Sequence, residues 1–270
     1  MSLRKIDLQE CHQYLLKIAA CFDTLCTKHQ IPYYMLGGTM LGAIRHKGFI
    51  PWDDDMDFGI PRPYYQMFIK IAQKELPKEY ELLTKNNTKS IKKGFIKIQL
   101  KGSKVIEKVF ELKDNNSYNG IAIDIFPLDG VQKVSYKEKL HDKYIFLLMR
   151  IHEGQFCSLS IRKGLKKIIA SFIKRLPISE KKLADYIDKL IQQRNYDYCD
   201  KIANYYGHWK EKETIDKTVL GIPQIYPFES LNLKGVKLWD SYLTSLYGNY
   251  MKLPPKEKQL NHADDIYINE

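Results

Sequence analysis

Residues 36–59 read LGGTMLGAIRHKGFIPWDDDMDFG. A two-glycine turn leads through a short amphipathic stretch to four carboxylates within five residues, Asp53, Asp54, Asp55 and Asp57. Carboxylates at this density repel one another, and the usual reason a fold keeps them is a divalent cation. Met56, Phe58 and Ile60 alternate with Asp57 and Gly59, the period of a strand. Side chains two apart on a strand share a face, so Asp55 and Asp57 are expected to point one way while Met56 and Phe58 pack behind them. Two hard oxygen ligands on one edge suit Mg²⁺ or Mn²⁺, with the remaining positions left for water and phosphate. Asp53 has the same parity. An acidic, solvated turn ahead of a strand is the simpler alternative, and spacing by itself leaves both open.

Upstream, residues 31–36 form a short apolar run rich in aromatics, a strand candidate. Gly37-Gly38 ends it, and Thr39 is placed to cap a helix from Met40 to about His46. Strand, glycine turn and helix start together make an anion site, because small residues let phosphate approach backbone N–H groups. A plain tight turn explains the glycines equally well when they stand alone. Followed within one helix by a carboxylate pair, they suggest phosphoryl or nucleotidyl transfer.

The stretch resembles the glycine–glycine, then D-x-D, signature of the polymerase-β-like nucleotidyltransferase superfamily. More narrowly, GGTMLGAIRHKGFIPWDDDMDFGIPR (residues 37–62) resembles the LicD family of phosphocholine transferases, whose relatives include the fukutin-type ribitol-phosphate transferases. GIAIDIFPLDG (120–130) is similar to that family's second signature. YGNYMKLPP (247–255), followed by His262, is similar to its C-terminal end. The three blocks occur in order over nearly the whole chain. At Pro227-Phe228-Glu229-Ser230 the chain departs from the family, which usually has glycine after the glutamate.

In the second block Ile121, Ile123 and Ile125 alternate with Ala122, Asp124 and Phe126. Asp124 is then the one charge inside a half-buried strand, and such a charge is rarely left unpaired. It is either an ion-pair partner of a core lysine or arginine, or the third carboxylate of the metal site, which the resemblance favours. In the superfamily that acid helps hold metal and can take the proton of the attacking hydroxyl. Asp129 is expected in a turn made by Pro127-Leu128-Asp129-Gly130.

Arg45 and His46 belong to the matched block and are expected within reach of a diphosphate, with Lys47 at the surface. Lys97 lies in an apolar strand pattern, residues 94–100, and either points to phosphate, with Ser103 nearby, or snorkels from an edge. Arg62 is expected to pair with acids after the strand. His12, His29, His141, His152 and His208 have no ligand spacing and read as surface or helix residues.

A chain of 270 residues can bury a good core, as one domain or two tightly joined ones. Its five cysteines, Cys11, Cys21, Cys26, Cys157 and Cys199, are odd in number and form no C-x-x-C pair. That pattern points to reduced thiols in a cytoplasm and to no zinc site. No cleavable leader and no run of roughly 20 apolar residues is seen.

Residues 6–29 are expected to form an opening helix with Cys11, Leu15, Ile18, Phe22 and Leu25 on one face. The expected class is α+β: a nucleotidyltransferase-type mixed sheet core with helices in residues 1–134, then a mostly helical portion, 135–270, packing back on it. The helical segments read 135–153, 160–176, 179–199 and 234–246. Residues 136–182 hold twelve Lys or Arg against four Asp or Glu, a large share of the net +11. Within them Ile161, Leu165, Ile168, Ile169, Phe172, Ile173 and Leu176 repeat at helical spacing. A basic amphipathic helix of this kind either faces the core with a solvated basic side or lies on an anionic membrane. No nucleic-acid motif accompanies the charge, so no nucleic-acid partner is expected.

The resemblance implies CDP-choline as donor and a lipid-linked glycan at the inner face of the cell membrane, such as a teichoic acid or lipopolysaccharide, as acceptor. Phosphocholine would move to a sugar hydroxyl and CMP would leave. Asp55, Asp57 and Asp124 would hold one or two Mg²⁺ ions, Gly37, Gly38 and Thr39 would cradle phosphate, and Arg45 and His46 would add positive charge. Choline calls for aromatic faces, and Trp52, Phe126, Trp209, Tyr226 and Trp239 are candidates, Trp52 being nearest the acids in sequence. The competing functions are transfer of another phospho-alcohol such as ribitol or glycerol phosphate, nucleotidyl transfer from NTP, and a membrane-surface scaffold without activity.

Overall fold

Asp7 starts the first helix of the computed structural model: its side chain accepts the Glu10 amide at 2.7 Å, an N-cap that contributes about 1 kcal/mol. The structure describes residues 2–88, 94–107, 120–132, 136–156, 179–261 and 263–269. Helix α1 (Leu8–Lys28) buries Cys11, Leu15, Ile18, Phe22 and Leu25, the face that the apolar spacing marks. Phe22 is its anchor. The ring lies 4.8 Å from Tyr33 and Phe58 and 5.3 Å from Phe68, and all four residues are fully buried. Clustered aromatics at these separations add to their area burial.

Among the described residues the main sheet has nine strands. These are β2 (Tyr34–Met35), β3 (Asp57–Pro61), β4 (Tyr80–Leu83), β5 (Ile96–Leu100), β7 (Ala122–Val131), β8 (Lys201–Ala203), β9 (Thr214–Asp216), β10 (Gln224–Phe228) and β11 (Leu231–Gly235). They run in the order β10-β11-β2-β3-β7-β5-β4, with β8 on the far half of β7 and β9 beside it. A separate small sheet joins β1 (Leu3–Ile6), β12 (Ala263–Asn269) and β6 (Ser103–Glu107). β3 and β7 are parallel, whereas β2–β3 and β5–β7 are antiparallel. Helices α2 (Gly37–Arg45) and α3 (Arg62–Glu75) flank β3 in sequence. The fold is α+β.

β7 buries Ile121, Ile123 and Ile125 and turns Asp124 to the other face, as the alternation requires. It does not stop at Pro127. Pairing with β3 as far as Leu128 and with β8 from Asp129 onward carries the strand to Val131. Asp129 is therefore buried in a strand rather than held in a turn. Its partner is Arg62, through two bonds of 2.5 and 2.7 Å.

The second half of the chain begins with helices α4 (Tyr136–Phe156) and α5 (Glu180–Ile191) and later adds α6 (Lys217–Leu220) and α7 (Trp239–Tyr247). The basic segment 160–176 lies outside the described residues. Helix α5 ends at Ile191, short of the expected 199, and α7 starts at Trp239 because Lys234 and Gly235 pair in β11. Residues 201–269 also carry five strands that helical spacing did not announce. β10 and β11 extend the main sheet beside β2, so the late chain completes the sheet of the early chain.

A charged network fastens the two halves. Asp188 of α5 stands 3.5 Å from Arg62, takes Lys85 at 3.2 Å and accepts the Tyr206 hydroxyl at 3.1 Å. Burial alone would lower the Arg62 guanidinium, but Asp129 and then Asp188 outweigh it and hold it above its ordinary value. Burial also pushes the Asp129 carboxyl up against the pull of Arg62. The short two-pronged contact is the geometry of an ionised pair. Cys11, Cys21 and Cys26 are free thiols, Cys199 Sγ donates to Asn195 O at 3.2 Å, and burial raises Cys11 to about 12.

Candidate active site

The acids are set by hydrogen bonds at the first turn of α2 and the start of β3. Leu36 is the N-cap of α2, without a side-chain bond, and Met40 N–H donates to its carbonyl at 3.0 Å. Thr39 is thus inside the helix rather than its cap. Its hydroxyl accepts the Asp57 amide at 2.8 Å, and Leu36 N–H donates to the Asp57 carbonyl at 2.9 Å. On the other side Asp124 N–H donates to Met56 O at 2.8 Å. Asp57 and Asp124 are paired in register between β3 and β7, and Lys97 of β5 is the register partner of Asp124.

Of these, Leu36, Asp57 and Asp124 border a pocket of about 400 Å³, whereas Thr39 and Lys97 do not. Gly37, Gly38, Asp53, Asp55, Asp57 and Asp124 form one side of it. Gly37 has φ +48°, a left-handed backbone that favours glycine. A Cβ on Gly38 would stand 2.6 Å from Asp53 Oδ2, so glycine leaves room for that carboxylate at the helix start. Asp54 faces away: its Oδ2 accepts Ala263 N–H of β12 at 2.5 Å. His12 of α1 holds the same loop from behind, with Nε2 2.7 Å from Asp53 O.

Burial, then Asp55, Asp124, Asp53 and Glu213, push the Asp57 carboxyl well above the usual range. The local field is therefore negative even with Lys97 Nζ 2.8 Å from Asp124 Oδ1. Lys97 is neither a lone edge lysine nor aimed at an open phosphate site; it is the ion-pair partner of the strand acid. Among the described residues no three His, Cys, Asp or Glu side chains already converge as a metal site. The donor set still suits a hard divalent cation, with carboxylate oxygens from adjacent strands short of positive charge, while the neighbouring helix N-terminus suits an anion such as phosphate.

The other wall comes from the second half of the chain: Asn204, Gly207, His208, Trp209, Glu213 and Tyr247. Glu213 Oε1 accepts the Trp209 amide at 2.8 Å, and Asn204 N–H donates to Glu213 O at 3.3 Å. Trp209 meets Tyr247 edge to face, with ring centroids 5.4 Å apart. Burial and then Asp57 raise the Tyr247 phenol, and Tyr242 OH accepts Gly37 N–H at 3.0 Å. Phe126 of β7 also borders the pocket.

Arg45, His46 and Trp52 do not border it. Helix α2 begins at the pocket, and eight residues at 1.5 Å each carry Arg45 about 12 Å along the axis. There Arg45 Nη1 donates to Tyr250 O at 2.7 Å, and burial lowers both Arg45 and His46. Trp52, although next to the acids in sequence, packs partly buried against the core. Sequence reasoning set His208 aside as a surface or helix residue and passed over Glu213, Asn204 and Gly207, which carry no spacing signal. Tyr247 could have been found, since it opens the third block. His262 lies outside the described residues.

The family described as LicD/FKTN/FKRP, nucleotidyltransferase domain, matches residues 30–163. The chain is 30% identical over 279 aligned positions to the lipopolysaccharide cholinephosphotransferase LicD of Haemophilus influenzae, covering 98% of this chain and 100% of that one. Two uncharacterised proteins of Rickettsia prowazekii and Rickettsia typhi are each 58% identical over 36 residues, 13% of this chain and 14% and 12% of theirs. With a match that runs essentially from end to end, this chain belongs to the LicD family of transferases.

Proposed function

We propose that this LicD-family enzyme moves phosphocholine from CDP-choline to a sugar hydroxyl of a lipid-linked cell-surface glycan, such as lipopolysaccharide or teichoic acid, and releases CMP. One observation carries the chemistry: Asp55, Asp57 and Asp124 border one pocket with the N-terminus of α2. The choice of phosphocholine is supported by the full-length relative, which acts on lipopolysaccharide.

Asp55, Asp57 and Asp124 would hold Mg²⁺ or Mn²⁺, which when bound neutralises charge on the donor diphosphate. Gly37 and Gly38 leave the backbone open to a phosphate at the helix start. Lys97 holds Oδ1 of Asp124, leaving Oδ2 to take the proton of the acceptor hydroxyl as it attacks. The pocket walls position that hydroxyl in line with the leaving CMP. Among the described residues no helix is long and apolar enough to cross a membrane. The basic segment 161–176 would hold the enzyme at the inner face of the cell membrane, beside its lipid-linked acceptor.

The test is CMP release from CDP-choline with Mg²⁺, in membranes carrying lipid-linked glycan, for wild type and Asp57→Asn. Release that needs metal, acceptor and Asp57 supports the reaction and the site. Release from CDP-ribitol or CDP-glycerol alone would keep the mechanism and change the donor. Silence with every CDP donor, in folded protein, would overturn the proposal.

A further inference from the structure

The geometry points to Trp209 and Tyr247, with Phe126 and Glu213 beside them, as the box that selects a quaternary ammonium group on the donor. This deepens the phosphocholine reading and rests on it. Five aromatics were candidates from the sequence, and the structure separates them. Trp52 does not border the pocket, Tyr226 donates its hydroxyl to Val236 O at 2.8 Å, and Trp239 packs at 6.4 Å against Tyr250. Trp209 and Phe126 do border it, with Tyr247, which was not among the five, on the same pocket as Asp55, Asp57 and Asp124.

Trp209 and Tyr247 stand at 83° to each other, so they form a corner rather than a stack. Trp209 keeps 36% of its surface exposed in this acid-lined pocket, unlike an indole serving only as core. Its orientation is set from the backbone by the bond to Glu213, whose carboxylate adds negative charge at the corner. The indole already draws a cation, since Lys212 Nζ lies 5.4 Å from its centroid. Tyr247 ties the corner to the phosphate end: a Cβ on Gly37 would stand 3.8 Å from its hydroxyl and 3.2 Å from Asp57 Oδ2. A trimethylammonium has no N–H to donate, so aromatic faces and a nearby carboxylate are its natural surroundings. A polyol headgroup would need hydrogen-bonding partners that the faces of Trp209 and Phe126 do not supply.

The experiment is calorimetric titration of CDP-choline and of CDP-glycerol, with Mg²⁺ present, into wild type, Trp209→Phe and Trp209→Leu. Both donors share the diphosphate, so their ratio reads the headgroup alone. The expected result is a preference for CDP-choline of about tenfold in wild type, kept in large part by Trp209→Phe and lost in Trp209→Leu. CDP-glycerol affinity should stay within about twofold throughout. If the Leu variant does not fold, Trp209→Gln puts the same question. A preference unchanged by the substitution, or an equal loss for both donors, overturns the box, as does a wild type without preference. Preference without any CMP release would sink the transfer reaction and leave the box standing. CMP release with no Trp209-dependent preference would do the reverse.

Discussion

Asp57 and Asp124 are direct partners across the parallel β3–β7 ladder, and Lys97 meets Asp124 from the antiparallel side. Two acids side by side on one sheet face are destabilising, and one lysine offsets only part of that. The cost falls at the border of the pocket, beside the N-terminus of α2, where the proposed metal ion would offset it.

Replacing either acid should therefore abolish turnover without unfolding the chain. Asp57→Asn and Asp124→Asn are expected to lower CMP release by at least about 100-fold, the scale of losing one metal-site interaction. Circular dichroism should be unchanged. Activity within a few-fold of wild type in either variant would remove that carboxylate from the chemistry.

The raised Asp57 carboxyl makes a pH prediction for metal-free protein. Below its ordinary value of 3.8 the acid is protonated in both folded and unfolded chains and costs nothing. As pH rises past that value the unfolded chain ionises first, so folded stability falls until the folded value is passed. Asp57→Asn should thus melt above wild type near neutral pH, with the gain fading toward about pH 4. Saturating Mg²⁺ should reverse the order, adding about 2.7 kcal/mol to wild type at 100 times Kd. Calorimetry across pH, with and without Mg²⁺, reads both effects.

Arg62 is 11% exposed and Asp129 1% exposed, so removing one leaves the other charge buried. Arg62→Met should cost roughly 3–5 kcal/mol in urea unfolding. Arg62→Met combined with Asp129→Leu should recover part of that loss. A double variant no more stable than the single would show that the cost is not an uncompensated charge.

Gly38→Ala puts a methyl 2.6 Å from Asp53 Oδ2 and turns that pocket carboxylate aside. The displacement acts on reacting geometry, where a shift of about 1 Å can cost on the order of 100-fold. The expected signature is a large loss in kcat with a melting temperature close to wild type. An equal fall in both would make Gly38 a folding residue.

Much of this fold was legible locally. Met56 and Phe58 are buried and Asp55 and Asp57 border the pocket, as a period of two dictates. The face of α1 and the Ile121, Ile123, Ile125 row followed the same logic. Asp129 was not legible, because Pro127 and Gly130 look like a turn until β3 and then β8 pair along the strand. Among the late strands that were missed, β8 and β9 have three residues each, too few to show a period, and β10 is largely exposed, which blurs its alternation.

By itself the sequence determined which residues alternate, which turn admits only glycine and which strands carry acid, since side-chain period and backbone sterics belong to neighbouring residues. It also carried the family, through three blocks in order. Only the tertiary structure decided who meets at the pocket. Trp52 adjoins the acids in the chain and does not border it, while His208, Trp209, Glu213 and Tyr247 arrive from the far half. Pocket membership depends on strand register and on contacts such as Gly37 with Tyr242, which join segments distant in sequence and leave no periodic trace in either.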